Sequence, residues 1–360
     1  MKNKKKVILI SCICAVVVIA MAAGAVVLMN HSGKVADEQK APEATQAPVV
    51  TATPEPTKDP HEGMVRSNLT GEYITEKAAE KRPYAVIINN IEYANANQQG
   101  TSQIDVLYEA LAEGGITRML GVIQDVDKIK KLGSVRSARH YFVSFASEWD
   151  AIFCHFGQTK YAISKIEELG INNLSGLSAV GPVVYARDYS YKAPHNVFTT
   201  GKKMKKGAKK LGYRTKVKSD NVAEHFTFYE EDTDLDSTDD TTYIKLPFSD
   251  YSTCYLKYDE KSKTYKNNKQ LAFKNVIVQL VKEKNIDKNG YQHLFLHKRK
   301  GEGYYLTNGK HVKITWRKSE ADHKMTYYDE SGNVLTINPG KTYIAAYPTS
   351  RKKLISLKEK

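Results

Sequence analysis

The stretch YAVIIN, residues 84–89, decides the fold of this sequence. It is a short, apolar and β-branched run between Pro83 and Asn90, a pattern typical of a buried strand. Helix and strand patterns alternate after it, and this alternation predicts a layered α/β domain over residues 69–218 with an at least partly parallel sheet. The predicted elements are strands at 117–124 and 151–156 and helices at 101–113, 138–149 and 162–169.

The pattern changes beyond residue 240. Short runs such as NVIVQLV (275–281) and VKITW (312–316) are separated by Asn-Gly and Pro-Gly pairs, for example at 308–309. Closely spaced strands with such turns predict a smaller, antiparallel, β-rich domain over residues 241–360. The overall fold class is therefore α/β in the first domain and α+β for the whole chain.

The N-terminal 30 residues have the pattern of a membrane anchor or signal. Four lysines between positions 2 and 6 precede the uncharged run 7–29, which is long enough to cross a bilayer as a helix. A cleavable signal peptide ending near 23–25 and a lipobox ending at Cys12 remain alternatives. We expect a single anchor at the cell membrane, with the folded domains outside the cytoplasm. Residues 31–68 are rich in Ala, Pro, Thr and Glu, which predicts a disordered stalk.

The chain is strongly basic, with a formal net charge of +14. Its basic stretch at 202–218 precedes a charged connector at 219–240 that turns acidic from Glu230 onward. Outside the cytoplasm, such a charge favours an anionic envelope polymer or a membrane surface as partner, rather than nucleic acid. A small anionic ligand is a second possibility, and the sequence does not identify protein partners.

The sequence carries no signature of a cofactor or metal. There is no Walker loop, GxSxG elbow or HExxH motif, and no Cys/His spacing suggests zinc. Asp232, Asp234 and Asp236 alternate as in a calcium loop, but Ser237 replaces the turn glycine. We therefore predict neither a cofactor nor a bound metal. The exterior cysteines Cys154 and Cys254 either form one disulfide or are two separate thiols.

Acidic residues recur at intervals of four in the first domain. On the predicted helix, Asp105, Glu109 and Glu113 share one face, which is either a solvated stripe or part of a site. In the second interpretation Glu113, next to the Gly114-Gly115 turn, points into a pocket beside Arg118. A carboxylate in that place is a candidate general acid or base.

Basic side chains gather near the same place in the sequence. Arg136 and Arg139 are predicted at the start of a helix, where two guanidinium groups can bind phosphate or carboxylate. Alternatively, one arginine pairs with Glu113 or Asp105 and joins two elements.

Two histidines lie at the ends of apolar segments. His155 follows the predicted strand AIFC and is either a core residue or a ligand contact. His195 lies between Pro194 and Asn196, close after Arg187. Convergence of His155, His195 and Glu113 would allow acid/base chemistry on an ester or glycosidic bond.

Seven separated motifs occur along the exterior part of the chain: RPYAVIINN (82–90), YEALAEGGITR (108–118), VRSARHYF (135–142), HFG (155–157), PHN (194–196), ITW (314–316) and NPGKTYIAAYP (338–348). In these motifs and their order, residues 81–348 resemble the YerB-like bacterial lipoproteins, a two-domain family of unknown function. The chain departs from the family pattern at Ser134, where Pro is usual, and at Tyr343, where Trp is usual. The resemblance implies a two-domain envelope protein and no established activity.

These patterns lead to two hypotheses. The first is a membrane-anchored protein of the cell envelope that binds an anionic ligand or glycan through an Arg/His pocket in the α/β domain. The alternative is a hydrolase or lyase of cell-wall glycan with Glu113 and His195 as acid/base groups. The candidate ligand-binding residues are Asn89, Glu109, Arg118, Arg136, Arg139, His155, Arg187 and Asn196.

Overall fold

The structure is a computed structural model that describes residues 60–218, 225–267, 271–297, 300–320 and 323–358. The predicted anchor, most of the predicted stalk and the beginning of the connector lie outside these residues. No helix among the described residues is long and apolar enough to span a membrane. Residues 64–66, which the sequence assigns to the stalk, form a strand that pairs with residues 73–75.

The described residues form a mixed α/β structure with few helices and many strands. The helices are α1 (Glu76–Ala79), α2 (Glu92–Asn95), α3 (His140–Ser147), α4 (Lys160–Leu169), α5 (Gly181–Val184) and α6 (Gly201–Lys210), with 3-10 turns at Thr101–Gln103, Glu113–Gly115, Val126–Lys128 and Thr349–Leu354. The strands are β1 (Met64–Arg66), β2 (Tyr73–Thr75), β3 (Tyr84–Asn89), β4 (Val106–Leu111), β5 (Thr117–Ile123), β6 (Leu132–Gly133), β7 (Ile152–His155), β8 (Asn173–Ser175), β9 (Ala186–Arg187), β10 (Val197–Thr199), β11 (Thr227–Phe228), β12 (Tyr243–Pro247), β13 (Thr253–Asp259), β14 (Thr264–Lys266), β15 (Ala272–Phe273), β16 (Asn275–Val281), β17 (Glu283–Asn285), β18 (Gln292–Leu294), β19 (Lys300–Thr307), β20 (Lys310–Lys318), β21 (Met325–Tyr328), β22 (Thr336–Ile337) and β23 (Thr342–Pro348).

One sheet of ten strands organises the molecule, in the order β21-β20-β19-β16-β23-β4-β5-β3-β7-β8. It is mixed: β23 is parallel to both β16 and β4, and β7 is parallel to both β3 and β8, while the other neighbours are antiparallel. Strands from the predicted α/β domain and from the predicted β-rich domain thus belong to the same sheet. They meet where β23 pairs with β4.

Each face of this sheet is covered by different elements. One face packs on helix α3, where Phe142 and Phe145 are fully buried together with Ala85 and Ile87 of β3. The other face packs on the four-stranded sheet β12-β13-β14-β15, which contributes Leu256 and Phe273 to the core. The apolar core therefore lies in two layers, one on each side of the sheet.

The predicted helix at 101–113 is wrong, because its central part is strand β4 between β23 and β5. Both faces of this strand are covered, so VLYEAL is almost continuously apolar and lacks the alternation of a half-exposed strand. As a result, Asp105, Glu109 and Glu113 do not share a helix face. The chain leaves β4 through a turn in which Gly114 and Gly115 have φ angles of +66° and +73°, a conformation that glycine adopts most readily.

Several other local predictions are confirmed. YAVIIN forms β3 with the predicted bounds, and strands β5 and β7 lie within their predicted ranges. Helix α3, however, begins only at His140, so Arg136 lies on an extended segment and Arg139 caps the helix. Cys154 and Cys254 form no disulfide.

Candidate functional site

Three backbone segments meet at the end of strand β3. Asn89 pairs in register with Arg118 at the start of β5, and its backbone N–H donates to Ser134 O over 2.9 Å. The extended segment 134–139 continues along β3, since Arg136 N–H donates to Ile87 O over 3.1 Å. This local geometry brings together most of the predicted site residues. We call them the Arg/His group: Asn89, Arg118, Arg136, Arg139, Arg187, His195 and Asn196.

Arg118 and Arg136 lack full compensation of their charge. Arg118 is only 3% exposed, and its Nη1 donates to Ser137 O over 3.1 Å, while no described residue accepts from its buried Nε. Burial and the charge of Arg139 lower the pKa of Arg118 to about 10. Arg136 donates from Nη1 to Pro194 O over 3.0 Å, and its buried Nε likewise has no acceptor among the residues that the structure describes. Burial and the neighbouring charges of Arg139 and Arg187 lower its pKa as well.

Arg139 forms the ion pair of the group. Its Nε and Nη2 donate to the two carboxylate oxygens of Glu113, and its Nη1 donates to the carbonyl oxygens of Ser137 and Ala138. Burial acts to raise the pKa of Glu113, but the hydrogen bonds from Arg139 and its charge outweigh burial and lower it. Glu113 is therefore an ionised partner of Arg139. This is the structural alternative that the sequence left open.

His195 is held by an amide. Its Nδ1 lies 2.8 Å from Nδ2 of Asn89, which also lies 3.3 Å from Ser134 Oγ. Because an amide NH₂ can only donate, Nδ1 accepts and the Nε2 of neutral His195 carries the proton. Burial and the positive charge of Arg136 lower the pKa of His195, which favours this neutral form. His195 thus supplies a further hydrogen-bond donor.

Arg187 completes the group at the surface. Its Nη1 donates to Oδ1 of the buried Asn196 over 2.7 Å, and its guanidinium lies 5.2 Å from the centre of the Phe156 ring. The adjacent Asp188 pairs with Lys131 over 2.6 Å instead of with Arg187. The group accordingly combines four guanidinium groups with the single carboxylate of Glu113.

His155 lies outside this hydrogen-bonded group. It is completely buried, with Nδ1 2.9 Å from Gly157 O and Nε2 3.3 Å from Asn173 Oδ1. Burial lowers its pKa, so the imidazole is neutral. In the part of the chain that the structure describes, no hydrogen bond joins His155, His195 and Glu113 to one another.

Glu109 belongs to the opposite face of the sheet. Its carboxylate accepts hydrogen bonds from Asn90, Thr117 and Tyr343, at distances of 2.6 to 2.9 Å. Thr117 and Arg118 are consecutive on β5 and therefore point to opposite faces. The single pocket predicted from the sequence is thus two separate sets of polar residues.

The structure shows two of the three aspartates of the calcium-like stretch bound to other side chains. Asp232 accepts from Lys274 over 2.6 Å and from Asn308 over 2.8 Å, and Asp234 accepts from Asn308 over 2.9 Å. Within the ranges described, no group of three or more His, Cys, Asp or Glu side chains is placed to hold a metal ion.

The sequence missed residues that support both sets. Asn90, Thr117 and Tyr343 bind Glu109, and the carbonyl groups of Ser137 and Pro194 bind the arginines. The pair Asn89-Asn90 at the end of an apolar strand could have indicated two sets of polar residues. Consecutive strand residues point to opposite faces, so the two amides must serve different faces of the sheet.

The chain matches the models of a two-domain family of unknown function. Residues 69–214 match the family "Protein of unknown function (DUF3048) N-terminal domain" and residues 233–344 match its "C-terminal domain". The chain belongs to this family.

A homologous relative is the Bacillus subtilis protein named "Putative lipoprotein YerB". The two are 28% identical over 299 residues, which cover 79% of this chain and 86% of the relative. The crystal structure of YerB from Bacillus subtilis superposes with a TM-score of 0.70 at 26% identity, covering 82% of this chain and all of the solved one. The resemblance and the fold class inferred from the sequence are thereby confirmed.

Proposed function

We propose that this protein is a cell-envelope protein whose Arg/His group binds an anionic ligand. An N-terminal anchor would hold it at the outer side of the cell membrane. The name of the Bacillus subtilis relative, a lipoprotein, supports this placement, as does the run of lysines before the uncharged segment 7–29.

The observation that carries the proposal is the unpaired positive charge of the Arg/His group. Burying a guanidinium costs free energy unless its N–H groups and its charge are satisfied. Glu113 satisfies Arg139, yet no described residue accepts a hydrogen bond from the Nε atoms of Arg118 and Arg136. A phosphate or carboxylate bound beside these guanidinium groups would supply the missing negative charge.

A basic surface on another part of the same predicted domain favours a polymeric ligand. Helix α6 carries exposed lysines along one side, including Lys206, Lys209 and Lys210. Such a surface raises the local concentration of polyanions through long-range attraction. We therefore propose an anionic envelope polymer that carries phosphate groups, rather than a neutral glycan.

The contacts of Glu113 and His195 do not favour glycan cleavage by these two residues. Glu113 is engaged by Arg139 and its lowered pKa disfavours a general acid, while His195 is held by Asn89 and shares no hydrogen bond with Glu113 in the described residues.

Binding of labelled poly(glycerol phosphate) to the detergent-purified full-length chain tests the proposal. At about 0.15 M salt, where distant surface charges are screened, Arg136→Gln with Arg187→Gln is expected to weaken binding by about tenfold or more. Fluorescence anisotropy measures the change.

The matched control is Lys209→Gln with Lys210→Gln. It removes the same number of positive charges from exposed positions on α6, and we expect only a small loss of affinity. Equal losses in the two double variants would mean that net charge, and not the Arg/His group, determines binding.

The placement has its own test. Protease added to intact bacterial cells should digest the chain while a cytoplasmic protein survives. Complete protection of the chain in intact cells would contradict an exterior location.

A further inference from the structure

A cavity lies on the face of the sheet opposite the Arg/His group. It is enclosed by strands β4, β5 and β23 on one side and by strands β13 and β15 of the small sheet on the other. Its volume is about 670 Å³. Cavities of this size are typical of sites for small molecules.

The carboxylate of Glu109 lies on the floor of this cavity. It is 5% exposed, and it accepts hydrogen bonds from Asn90 and Thr117 on Oε1 and from Tyr343 on Oε2. A carboxylate offers about four acceptor positions, so one position on Oε2 is left for a donor from the cavity.

Glu109 has no cationic partner among the described side chains. By contrast, Glu148 pairs with Lys318 and Glu113 pairs with Arg139. Its three hydrogen-bond partners are neutral, so they donate to the carboxylate oxygens of Glu109 without neutralising its negative charge. A buried carboxylate with neutral donors alone favours an incoming cation.

The walls of the cavity add aromatic surface and further negative charge. Tyr251 and Tyr255 stand at its rim, 85% and 45% exposed, and Phe273 lies within. Glu92 and Asp250 also line it, and Asp250 pairs with Arg351 over 3.0 Å. None of the described lining residues is Lys, Arg or His, although the chain contains 54 Lys and Arg residues.

We propose that this cavity binds a small primary-ammonium compound such as an amino sugar. The ammonium group would donate to Oε2 of Glu109 and bring the missing positive charge, while the tyrosines would pack against the apolar face of the ligand. The site is separate from the Arg/His group, and the inference does not depend on the function proposed above.

Isothermal titration of the full-length chain with D-glucosamine and D-glucose tests this site. The two probes differ in one substituent, an ammonium group in place of a hydroxyl. Glucosamine is expected to bind about tenfold or more tightly than glucose, the effect of one charge-assisted hydrogen bond. Glu109→Gln should remove this preference. Absence of glucosamine binding, or equal binding of both sugars, would overturn the proposal.

Two further variants keep the test decisive if Glu109→Gln fails to fold. Tyr251→Ala changes an exposed rim residue and should weaken glucosamine binding with the circular dichroism spectrum unchanged. The Arg136→Gln, Arg187→Gln double variant should bind glucosamine as the unmodified chain does. A loss in that double variant, or none in Tyr251→Ala, would place glucosamine elsewhere and contradict the proposal.

Discussion

Glu113 neutralises one of the guanidinium groups that surround it and leaves the others charged. Its two oxygens both accept from Arg139, whereas Arg118 donates, among the described residues, only to the carbonyl of Ser137. The roles of these residues differ accordingly. Glu113 fixes Arg139 and the turn at residues 113–115, while Arg118 and Arg136 hold the unsatisfied N–H groups.

Replacing Glu113 separates a structural role from a catalytic one. Glu113→Gln leaves Arg139 without a charged partner, so we expect the free energy of unfolding to fall by about 1–3 kcal/mol. Affinity for poly(glycerol phosphate) should not decrease, because a negative charge has been removed. Urea denaturation and anisotropy measure the two effects. The exposed Glu260→Gln serves as control, and a Glu113→Gln chain as stable as this control would refute the structural role.

Local sequence pattern predicts correctly those helices and strands whose packing partners lie close to them in the sequence. Helix α4 has an amphipathic pattern, a Thr159 cap and Gly170 at its end, and the predicted helix is confirmed. Strand β4 was predicted as a helix because burial on both faces erases the period of two. Its neighbour β23 comes from the far end of the chain, so no local signal places Glu109 beside Tyr343. For the same reason, the sequence could not show that Glu109 and Arg118 lie on opposite faces of the sheet.

The hairpin formed by β17 and β18 reaches across helices α3 and α4. His293 Nδ1 lies 3.1 Å from His140 Nε2, Asp287 accepts from Tyr161 over 2.9 Å, and the Tyr291 ring lies 5.8 Å from the guanidinium of Arg139. The hairpin therefore packs beside the ion pair of the Arg/His group.

The histidines of this contact should make the free energy of unfolding fall in acid. Burial, His293, Lys165 and Arg139 lower the pKa of His140 to about 4, and burial with the charges of Lys284 and Lys165 lowers that of His293. The unfolded chain therefore binds more protons than the folded chain between about pH 6.5 and 4. Stability should fall as pH falls through this window.

We expect His140 to contribute up to about 3 kcal/mol to this loss, at roughly 1.4 kcal/mol per pKa unit. Denaturation curves across the window measure it, and His140→Phe should flatten the dependence. The pKa values of the buried His225 and the half-buried His297 are also lowered, so a smaller pH dependence remains in the variant. A slope identical to that of the unmodified chain would contradict the assignment to His140.

At the scale of the described molecule, one continuous hydrogen-bonded sheet contains strands of both family domains. Strand β23 pairs with β4 from Thr342 opposite Val106 to Ala346 opposite Ala110. A fully buried ion pair between Lys318 at the end of β20 and Glu148 after helix α3 adds a second connection. The two sequence domains therefore share one sheet and one core on each of its faces.

The two tryptophans of the chain test whether these domains unfold together. Trp149 lies in the first family domain and Trp316 in the second, and both are buried. In the variants Trp316→Phe and Trp149→Phe, the remaining tryptophan reports on one domain. We expect the same urea midpoint from both reporters, after correction for each variant's stability by circular dichroism. Two separated transitions would show that the sheet does not couple the domains.

The position of β23 near the end of the sequence means that β4 can complete its pairing only late in translation. Strand β4 borders β5 on one side, but its other edge remains open until residues 342–348 have been made. More than 200 residues separate the two strands, which corresponds to about 10–40 s at usual rates of translation. Throughout that interval the nascent chain presents an unpaired apolar strand, the kind of edge that invites wrong association.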